Sequence, residues 1–270
     1  MKFRVLSDIH NEFLTRKEIL FKLPVMEDEK NTVLLLAGDI GVAKHPETYV
    51  PFMKEMSGRF KYVAHIAGNH EFYGSNFLYT RDLINTQYRE AGISDNTRMH
   101  EREILEFDDV RVIMATLWTD MDGNNPVTKM IAHDYMNDYR QIFNVGGNDD
   151  SPLQFRLNVD NTVSDFYKSR DFIFDEIKNA RDDGKKILVM THHAPTRLSI
   201  SEEFLSSEIN GAFVSDLSNE ILNIDYELTW IHGHVHQNHK YNLGKSTIIC
   251  NPHGYQNENS YFDNKLVIEI

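Results

Sequence analysis

The apolar run at residues 33–40, VLLLAGDI, constrains the fold more than any other stretch of the chain. A continuous run of leucine and β-branched residues that stops at Gly38 is typical of a strand buried on both faces, as in a sheet covered by helices. Asp39 then lies at the carboxyl end of that strand. Because an unpaired carboxylate at the edge of an apolar core costs several kcal/mol, we expect a cation beside Asp39.

Four other predicted strands, at residues 2–7, 60–67, 186–191 and 228–231, end in the same way. Each is followed by side chains of metal-ligand type. These are Asp8 and His10, Asn69 and His70, His192, and His234 and His236. Taken alone, Asp8-Ile9-His10 is more typical of an ordinary turn, and Asn69-His70 is equally typical of a capping turn. Repetition at the carboxyl ends of several strands indicates a site, because open α/β sheets place their sites at that edge.

The residue types of this set predict the kind of ion. Aspartate, asparagine and histidine without cysteine suit manganese, iron or zinc rather than a structural thiolate zinc site. The ligands are too numerous for one ion. If Asp39 is shared, the set suits two metals about 3.5 to 4 Å apart, as in two-metal hydrolytic sites.

Length and charge limit the classes of protein that the chain can belong to. Its 270 residues are enough for one large α/β domain, and amphipathic patterns predict helices at residues 46–58, 75–91 and 162–183. We expect a single domain, residues 1–270, with an inserted irregular lobe at about residues 118–160. The formal net charge of −13 disfavours binding to long nucleic acid, because that affinity comes largely from Lys and Arg.

The sequence also carries expectations about location and about a second kind of metal site. A single cysteine, Cys250, and the lack of a membrane-length apolar run favour a cytoplasmic protein with no membrane contact.

Asp120, Asp122 and Asn124 resemble the opening of a calcium loop. The sixth position is Asn125 rather than Gly and the twelfth is Ile131 rather than Glu, so an EF-hand is rejected.

The five motifs, in this order, resemble those of the calcineurin-like metallophosphoesterase superfamily. The motifs are Asp8-x-His10, Gly38-Asp39, Gly68-Asn69-His70-Glu71, Thr191-His192-His193 and Gly233-His234-x-His236. Each motif is weak alone, whereas the ordered set is specific. The resemblance implies an α/β fold in which two mixed β-sheets flanked by helices form a four-layer α-β-β-α sandwich.

The resemblance also implies a ligand set and a mechanism. Asp8, His10 and His236 would bind the first metal, Asn69, His192 and His234 the second, and Asp39 both. The ions would be divalent transition metals, with manganese favoured and iron, zinc or nickel as alternatives. A hydroxide bridging the two metals would attack phosphorus, with Asp39 and His70 as the catalytic residues and His70 as proton donor. The substrate would be a small phosphomonoester or phosphodiester, with a nucleotide as one candidate.

Differences between this sequence and the superfamily's motifs indicate which subclass of the superfamily the chain resembles. Protein Ser/Thr phosphatases of the superfamily extend the second motif to Gly-Asp-x-x-Asp-Arg-Gly, but residues 38–43 here are GDIGVA. A protein phosphatase of that type is therefore disfavoured, and the partner that orients His70 is not identified. Residues 251–255, NPHGY, resemble an Asn-Pro-Arg-Gly-Tyr element of some relatives, with His253 in place of the arginine. Either this change weakens a phosphate contact, or the segment is only a turn; we favour the turn.

Candidate substrate contacts are Asn69, His70, Arg140 and His253, although a surface salt bridge is the favoured role for Arg140. His193 either bonds to a ligand residue or faces solvent. Two other functions compete with a small-molecule phosphoesterase. A nuclease of the same superfamily would call for a DNA-binding cap and a basic surface. A non-catalytic scaffold would call for degenerate ligands or loss of the histidine at position 70, and neither is seen.

Overall fold

The computed structural model describes residues 1–15, 21–148 and 151–270. Within these ranges the strands are β1 Lys2–Leu6, β2 Thr32–Ala37, β3 Tyr62–Ile66, β4 Thr97–His100, β5 Glu103–Phe107, β6 Val110–Met114, β7 Phe143–Asn148, β8 Ser151–Arg156, β9 Lys186–Met190, β10 Leu228–His232, β11 His239–Leu243, β12 Ser246–Cys250 and β13 Val267–Glu269. The helices are α1 Asn11–Thr15, α2 Val50–Arg59, α3 Thr80–Glu90, α4 Met121–Asn124, α5 Pro126–Tyr135, α6 Asp138–Gln141, α7 Val159–Asp182 and α8 Ser218–Leu222.

Two large sheets and one hairpin contain all of these strands. The five-stranded sheet has the order β13-β1-β2-β3-β4, in which β1 to β4 are parallel and β13 is antiparallel. The six-stranded sheet has the order β11-β12-β10-β9-β6-β5, with four parallel inner strands and an antiparallel strand at each edge. Both sheets are therefore mixed, as the sequence predicts.

The two sheets are joined by a cluster of buried apolar side chains from alternate positions along the strands. The five-stranded sheet contributes Phe3, Val5, Val33, Leu35, Ala37, Ala64 and Ile66, and the six-stranded sheet contributes Val110, Val112, Met114, Leu188, Met190, Ile231 and Ile249. Leu34 and Leu36, which alternate with these residues in β2, belong to a second cluster. Because successive side chains of a strand point to opposite faces, β2 is buried on both sides.

The second cluster joins the outer faces of the sheets to the helices. Phe52, Met53 and Met56 of α2 belong to it, as do Phe166 and Ile177 of α7. Helices α2 and α3 contact β3 and β4, and α7 contacts β6 and β9. The predicted α-β-β-α layering and the three predicted helices are confirmed, but the first helix starts at Val50 rather than at residue 46 and the second at Thr80 rather than at residue 75.

The segment expected to be an irregular lobe, residues 118–160, is more regular than its composition indicates. It contains α4, α5, α6 and the β7–β8 hairpin. At the former calcium-loop candidate, the backbone of Met121, Asp122 and Asn124 is left-handed, and Asp122 forms an ion pair with Arg197. Among the described residues, no helix combines the length and the apolar character needed to cross a bilayer.

Candidate metal centre

All of the predicted ligands follow parallel strands at the same edge of the molecule. In the five-stranded sheet, the loop after β1 carries Asp8 and His10, the loop after β2 carries Asp39, and the loop after β3 carries Asn69. In the six-stranded sheet, the loop after β9 carries His192 and the loop after β10 carries His234 and His236. Backbone hydrogen bonds tie these loops together. The N–H of His10 donates to the carbonyl of Asp39 at 2.9 Å, and that of Gly233 donates to the carbonyl of His192 at 2.9 Å. Each sheet therefore presents its loops as one connected unit.

The first group of converging ligand atoms comes from Asp8, His10, Asp39 and His236. One ligand atom from each lies within 4.8 Å of all the others. The Nε2 atoms of His10 and His236 are 3.0 Å apart, and His236 Nε2 lies 3.4 Å from Asp8 Oδ1. His10 Nε2 lies 3.7 Å from Asp39 Oδ2. These are the residues assigned to the first metal from the sequence, together with the shared aspartate.

The second group comes from Asp39, His192 and His234, again with ligand atoms within 4.8 Å of one another. His192 Nε2 lies 3.5 Å from Asp39 Oδ2 and 3.3 Å from the side-chain oxygen of Asn69. Asn69 donates its amide to the hydroxyl of Tyr73 at 3.0 Å, which turns its oxygen toward His192. Asp39 belongs to both groups, as the sequence predicts for a bridging ligand.

Five of the predicted ligands have left-handed backbone conformations. The φ angles are 54° at Asp8, 50° at His10, 56° at Asp39, 71° at His234 and 50° at His236. A non-glycine residue in this region is strained by about 1 to 3 kcal/mol, and such residues concentrate at functional sites. The surrounding loops therefore hold the ligands in conformations that the free chain disfavours.

Two glycines let the ligands approach the backbone. A Cβ on Gly68 would lie 2.2 Å from Asp39 Oδ1 and 2.6 Å from His192 Nε2. A Cβ on Gly233 would lie 2.5 Å from Asp8 Oδ2. Because real Cβ atoms do not approach other atoms this closely, only glycine fits at these positions.

Glu71 fixes two of the ligand loops although it is not a ligand. Its buried carboxylate accepts the backbone N–H groups of Asp39, Ile40 and Gly68 at 2.9, 2.7 and 2.7 Å. It also lies 3.3 Å from the ring of His65. These bonds occupy both carboxylate oxygens, so Glu71 holds the loops after β2 and β3 in register.

Glu12 connects a ligand residue to His70. Its Oε1 lies 2.9 Å from Nδ1 of His70 and 3.1 Å from Nδ1 of His10. Burial opposes ionisation of Glu12, but the two imidazoles outweigh it and lower its pKa to about 2. The pKa of His70 is raised, because Asp39 and Glu12 outweigh the opposing effect of burial. Glu12 is thus the partner of His70 that the sequence does not identify.

Outer partners direct the ligand imidazoles. Nδ1 of His192 bonds to the carbonyl of Ala37 at 2.8 Å, and Nδ1 of His236 bonds to Glu258 at 2.7 Å, so both Nε2 atoms face the centre. Burial lowers the pKa of each histidine, but neighbouring carboxylates reverse this. Asp39 raises the pKa of His192 to about 9, and Asp8 with Glu258 raises that of His236 to about 10. The neighbouring carboxylates thus favour the protonated form of these two imidazoles.

His234 provides the test of whether these residues fit a metal. Its Nε2 is buried without a hydrogen-bond partner among the described residues, and its pKa lies well below the ordinary value because of burial and the neighbouring His193 and His192. A buried imidazole nitrogen without a partner is costly unless a cation takes its lone pair. With carboxylate, amide and imidazole donors and no thiolate, the residues fit divalent transition cations.

A cavity of about 470 Å³ adjoins the two ligand groups. Its lining includes Asp39, Asn69, His70, His234 and His236. The lobe contributes residues 135–138 and the segment after β9 contributes much of the other wall, residues 199–214. His70 thus faces both the ligand groups and a space large enough for a small organic substrate.

Two predicted substrate contacts lie elsewhere. Arg140 is exposed, bonds to the backbone carbonyl of Asp134 and does not line the cavity. His253 packs between Phe21 and Phe262, with ring centroids at 5.1 and 5.3 Å, and is also outside the lining. The structure therefore does not bring either residue to the cavity.

His193, whose role the sequence leaves open, is buried rather than exposed to solvent. Its ring packs against those of His234 and Trp118 at 4.2 and 5.1 Å. Burial and the neighbouring His192 lower its pKa to about 3. His193 therefore supports a ligand ring by packing.

Comparison with known proteins agrees with the fold and the motifs. The family model described as calcineurin-like phosphoesterase matches residues 1–238. The uncharacterized protein L509 of Acanthamoeba polyphaga mimivirus is 29% identical over 283 aligned residues, which cover 99% of this chain and 96% of that protein.

Solved structures with the same architecture include a phosphopantetheinyl hydrolase from Mycobacterium tuberculosis. It aligns with a TM-score of 0.61 at 13% identity, over 95% of this chain and 90% of that one. A dimetal phosphatase from Danio rerio aligns with a TM-score of 0.46 at 12% identity, over 93% and 86% of the two chains. At 13% identity, the likeness to the phosphopantetheinyl hydrolase supports the fold alone.

Proposed function

Since the chain belongs to the calcineurin-like phosphoesterase family, we propose that it is a dinuclear-metal-dependent hydrolase of a small phosphomonoester or phosphodiester. The observation that carries this proposal is the sharing of Asp39 between two ligand groups beside His70 and a cavity. We propose a single domain, residues 1–270, with the inserted lobe at residues 118–160 contributing to the substrate cavity.

Seven residues would hold the metals. Asp8, His10 and His236 would bind one ion, Asn69, His192 and His234 the other, and Asp39 both. Two divalent cations would supply the Lewis acidity that activates water and offsets negative charge on the phosphate oxygens. Manganese is the favoured ion, with iron, zinc and nickel as alternatives, because the donors are oxygen and imidazole nitrogen without sulfur.

His70 would act as the proton donor. The oxygen of a water molecule forms a bond to phosphorus and loses one proton to solvent, while the P–O bond to the organic group breaks. The alcohol leaves with the proton from His70, which His70 then regains from solvent. Such general acid catalysis contributes about 10²- to 10⁴-fold. The raised pKa of His70, which results from Asp39 and Glu12 against the opposing effect of burial, favours the protonated form that a donor requires.

Glu12 would position His70 rather than transfer a proton. Its carboxylate lies against Nδ1 of His70, so the other ring nitrogen, Nε2, is the one available to a leaving group. Nε2 lies 3.5 Å from the hydroxyl of Tyr255, which also lines the cavity. The proton to be donated would therefore sit on the cavity side of the ring.

The cytoplasm is the proposed location, because the only cysteine, Cys250, is a buried free thiol that suits a reducing compartment. The net charge of −13 supports a small substrate over long nucleic acid.

The direct test is a metal analysis followed by a paired assay. Purified protein is expected to carry or take up about two transition metals per chain, and Mn²⁺ is expected to stimulate hydrolysis of p-nitrophenyl phosphate, its bis-ester, or both. A nucleotide panel then follows. Absence of metal uptake together with absence of stimulation would refute the proposal and favour a scaffold. Preferential cleavage of DNA would favour the nuclease alternative.

A further inference from the structure

The cavity beside the candidate metal centre has an apolar wall in addition to its ligand residues. This wall includes Met136, Ile200, Phe204, Ile209, Phe213 and Val214. Phe204 and Tyr135 line the cavity and remain 54% and 73% exposed. Such exposed aromatic surface within a cavity is suited to cover an apolar part of a ligand.

Apart from its histidines, the charged residues among the described lining of this cavity are acidic. No described residue of the cavity lining is Lys or Arg, whereas Asp138 and Glu258 line it in addition to Asp39. Glu202, Glu203 and Glu208 are exposed on the segment that carries Phe204. Two bound cations would compensate the charge of one phosphate group, but a further anionic group along the apolar wall would find no Lys or Arg among the described lining residues.

We infer that the cavity accepts a phosphate ester whose organic group is uncharged and largely apolar. This inference rests on the proposed function and deepens it by naming the substrate class. The phosphate would lie at the candidate ligands and the organic group along Phe204 and Ile209. The volume of about 470 Å³ is within the range of small-molecule pockets. Nucleoside triphosphates and acidic phosphopeptides are disfavoured by this arrangement.

The test compares matched esters that differ only in a terminal carboxylate. The monoester pair is hexyl phosphate and 5-carboxypentyl phosphate, assayed by phosphate release. The diester pair is hexyl p-nitrophenyl phosphate and 5-carboxypentyl p-nitrophenyl phosphate, assayed by nitrophenolate release. In each hydrolysed pair we expect kcat/KM to be at least about tenfold higher for the uncharged member, which is within the range that one pocket contact can discriminate.

A binding measurement provides a readout that needs no turnover. Hexylphosphonate and 6-phosphonohexanoate have a P–C bond that a phosphoesterase does not cleave. Calorimetry with the metal-loaded protein is expected to give a Kd for hexylphosphonate that is lower by about tenfold or more.

A variant pair locates the effect. Ser207→Lys places a cation on the cavity wall, whereas Ser206→Lys adds the same charge one residue away, at an exposed position that does not line the cavity. We expect S207K, and not S206K, to reduce the preference for the uncharged ester by about fivefold or more, since it provides a partner for the carboxylate.

The outcomes separate the two proposals. If neither the four esters nor the p-nitrophenyl esters and nucleotides of the direct test are hydrolysed with any divalent metal, the proposed function fails and the substrate assignment fails with it. If p-nitrophenyl esters or nucleotides are hydrolysed and none of the four esters is, the inference about the organic group is overturned while the proposed function stands. If hydrolysis occurs but the members of each pair react equally and the two phosphonates bind equally, the inference about the organic group is overturned while the proposed function stands.

Discussion

The carboxylate of Glu12 lies 2.9 Å from Nδ1 of His70 and, through the same oxygen, 3.1 Å from Nδ1 of His10. One side chain therefore orients both a candidate ligand and the candidate proton donor. A change at Glu12 is expected to affect two functions of the site, metal binding through His10 and proton transfer through His70.

His70→Ala tests the proton donor. We expect it to retain metal, because His70 belongs to neither ligand group that shares Asp39. Its kcat for alkyl esters should fall by about 10²- to 10⁴-fold, with a much smaller loss for p-nitrophenyl esters, whose leaving group needs no proton. Metal analysis and paired kinetics measure both effects, with the exposed His45→Ala as the control. Equal losses for both kinds of ester would remove His70 from the role.

Glu12→Gln tests the positioning of His70. At saturating metal we expect kcat for alkyl esters to fall by about 10- to 100-fold, as is usual for residues that orient a catalytic side chain. Because Glu12 would act through His70, the double variant E12Q/H70A should be no slower than H70A alone. Fully multiplicative losses at saturating metal would instead assign Glu12 an independent role.

Gly68→Ala tests the close approach of the ligands. The added methyl would lie 2.2 Å from Asp39 Oδ1 and 2.5 Å from a ring carbon of His192, so the variant is expected to lose most of its bound metal. Gly58→Ala is the matched control. Gly58 lies in α2 and its added methyl would meet nothing within 4 Å, so we expect full metal content and a gain in stability of up to about 1 kcal/mol. Equal metal content in the two variants would contradict the prediction.

Glu71→Gln tests the support of the ligand loops. An amide group can accept with only one of its two ends, so buried N–H groups of Asp39, Ile40 or Gly68 would lose partners. We expect the free energy of unfolding of the metal-free protein to fall by about 3 kcal/mol. Denaturant titration measures this, and the exposed Glu47→Gln should stay within about 0.5 kcal/mol of wild type. A change in E71Q no larger than in the control would show that the bonds contribute little.

Metal uptake is expected to release protons. In the metal-free protein the pKa values of His192 and His236 are raised to about 9 and 10, because the nearby carboxylates outweigh burial, so both imidazoles carry a proton at pH 7. A metal must displace these protons, and binding therefore strengthens as pH rises from 7 toward 9, by about tenfold per pH unit for each proton released. Calorimetry in buffers of different ionisation enthalpy should give about two protons per two metals. A buffer-independent heat would contradict this prediction.

The ligand set was predictable because each ligand directly follows a strand, and the motifs are local. The two supporting carboxylates were not. Glu71 belongs to the Gly68-Asn69-His70-Glu71 motif. Two of the hydrogen bonds that it accepts come from the backbone N–H groups of Asp39 and Ile40, which are about thirty residues away in the chain. Glu12 reaches His70 across the loops after β1 and β3. Such pairings depend on strand order, which short motifs do not encode.

The part of the apolar cavity wall that follows β9 was not predicted, for a different reason. Phe204 lies on a segment of short 3-10 turns, residues 197–212, and Phe213 directly follows it. This segment has no helical or strand period to mark which side faces inward. Arg140 was a candidate on charge alone, and its backbone partner at Asp134 holds it at the surface. Charge and residue type therefore indicated the candidate ligands and, of the four candidate substrate contacts, the two that line the cavity, Asn69 and His70.

Each of the two ligand groups that share Asp39 draws on both sheets. The five-stranded sheet supplies Asp8, His10 and Asp39, and the six-stranded sheet supplies His192, His234 and His236. Neither half can complete a group alone. During synthesis, therefore, neither candidate group is complete until position 236 has been translated and the two halves have docked.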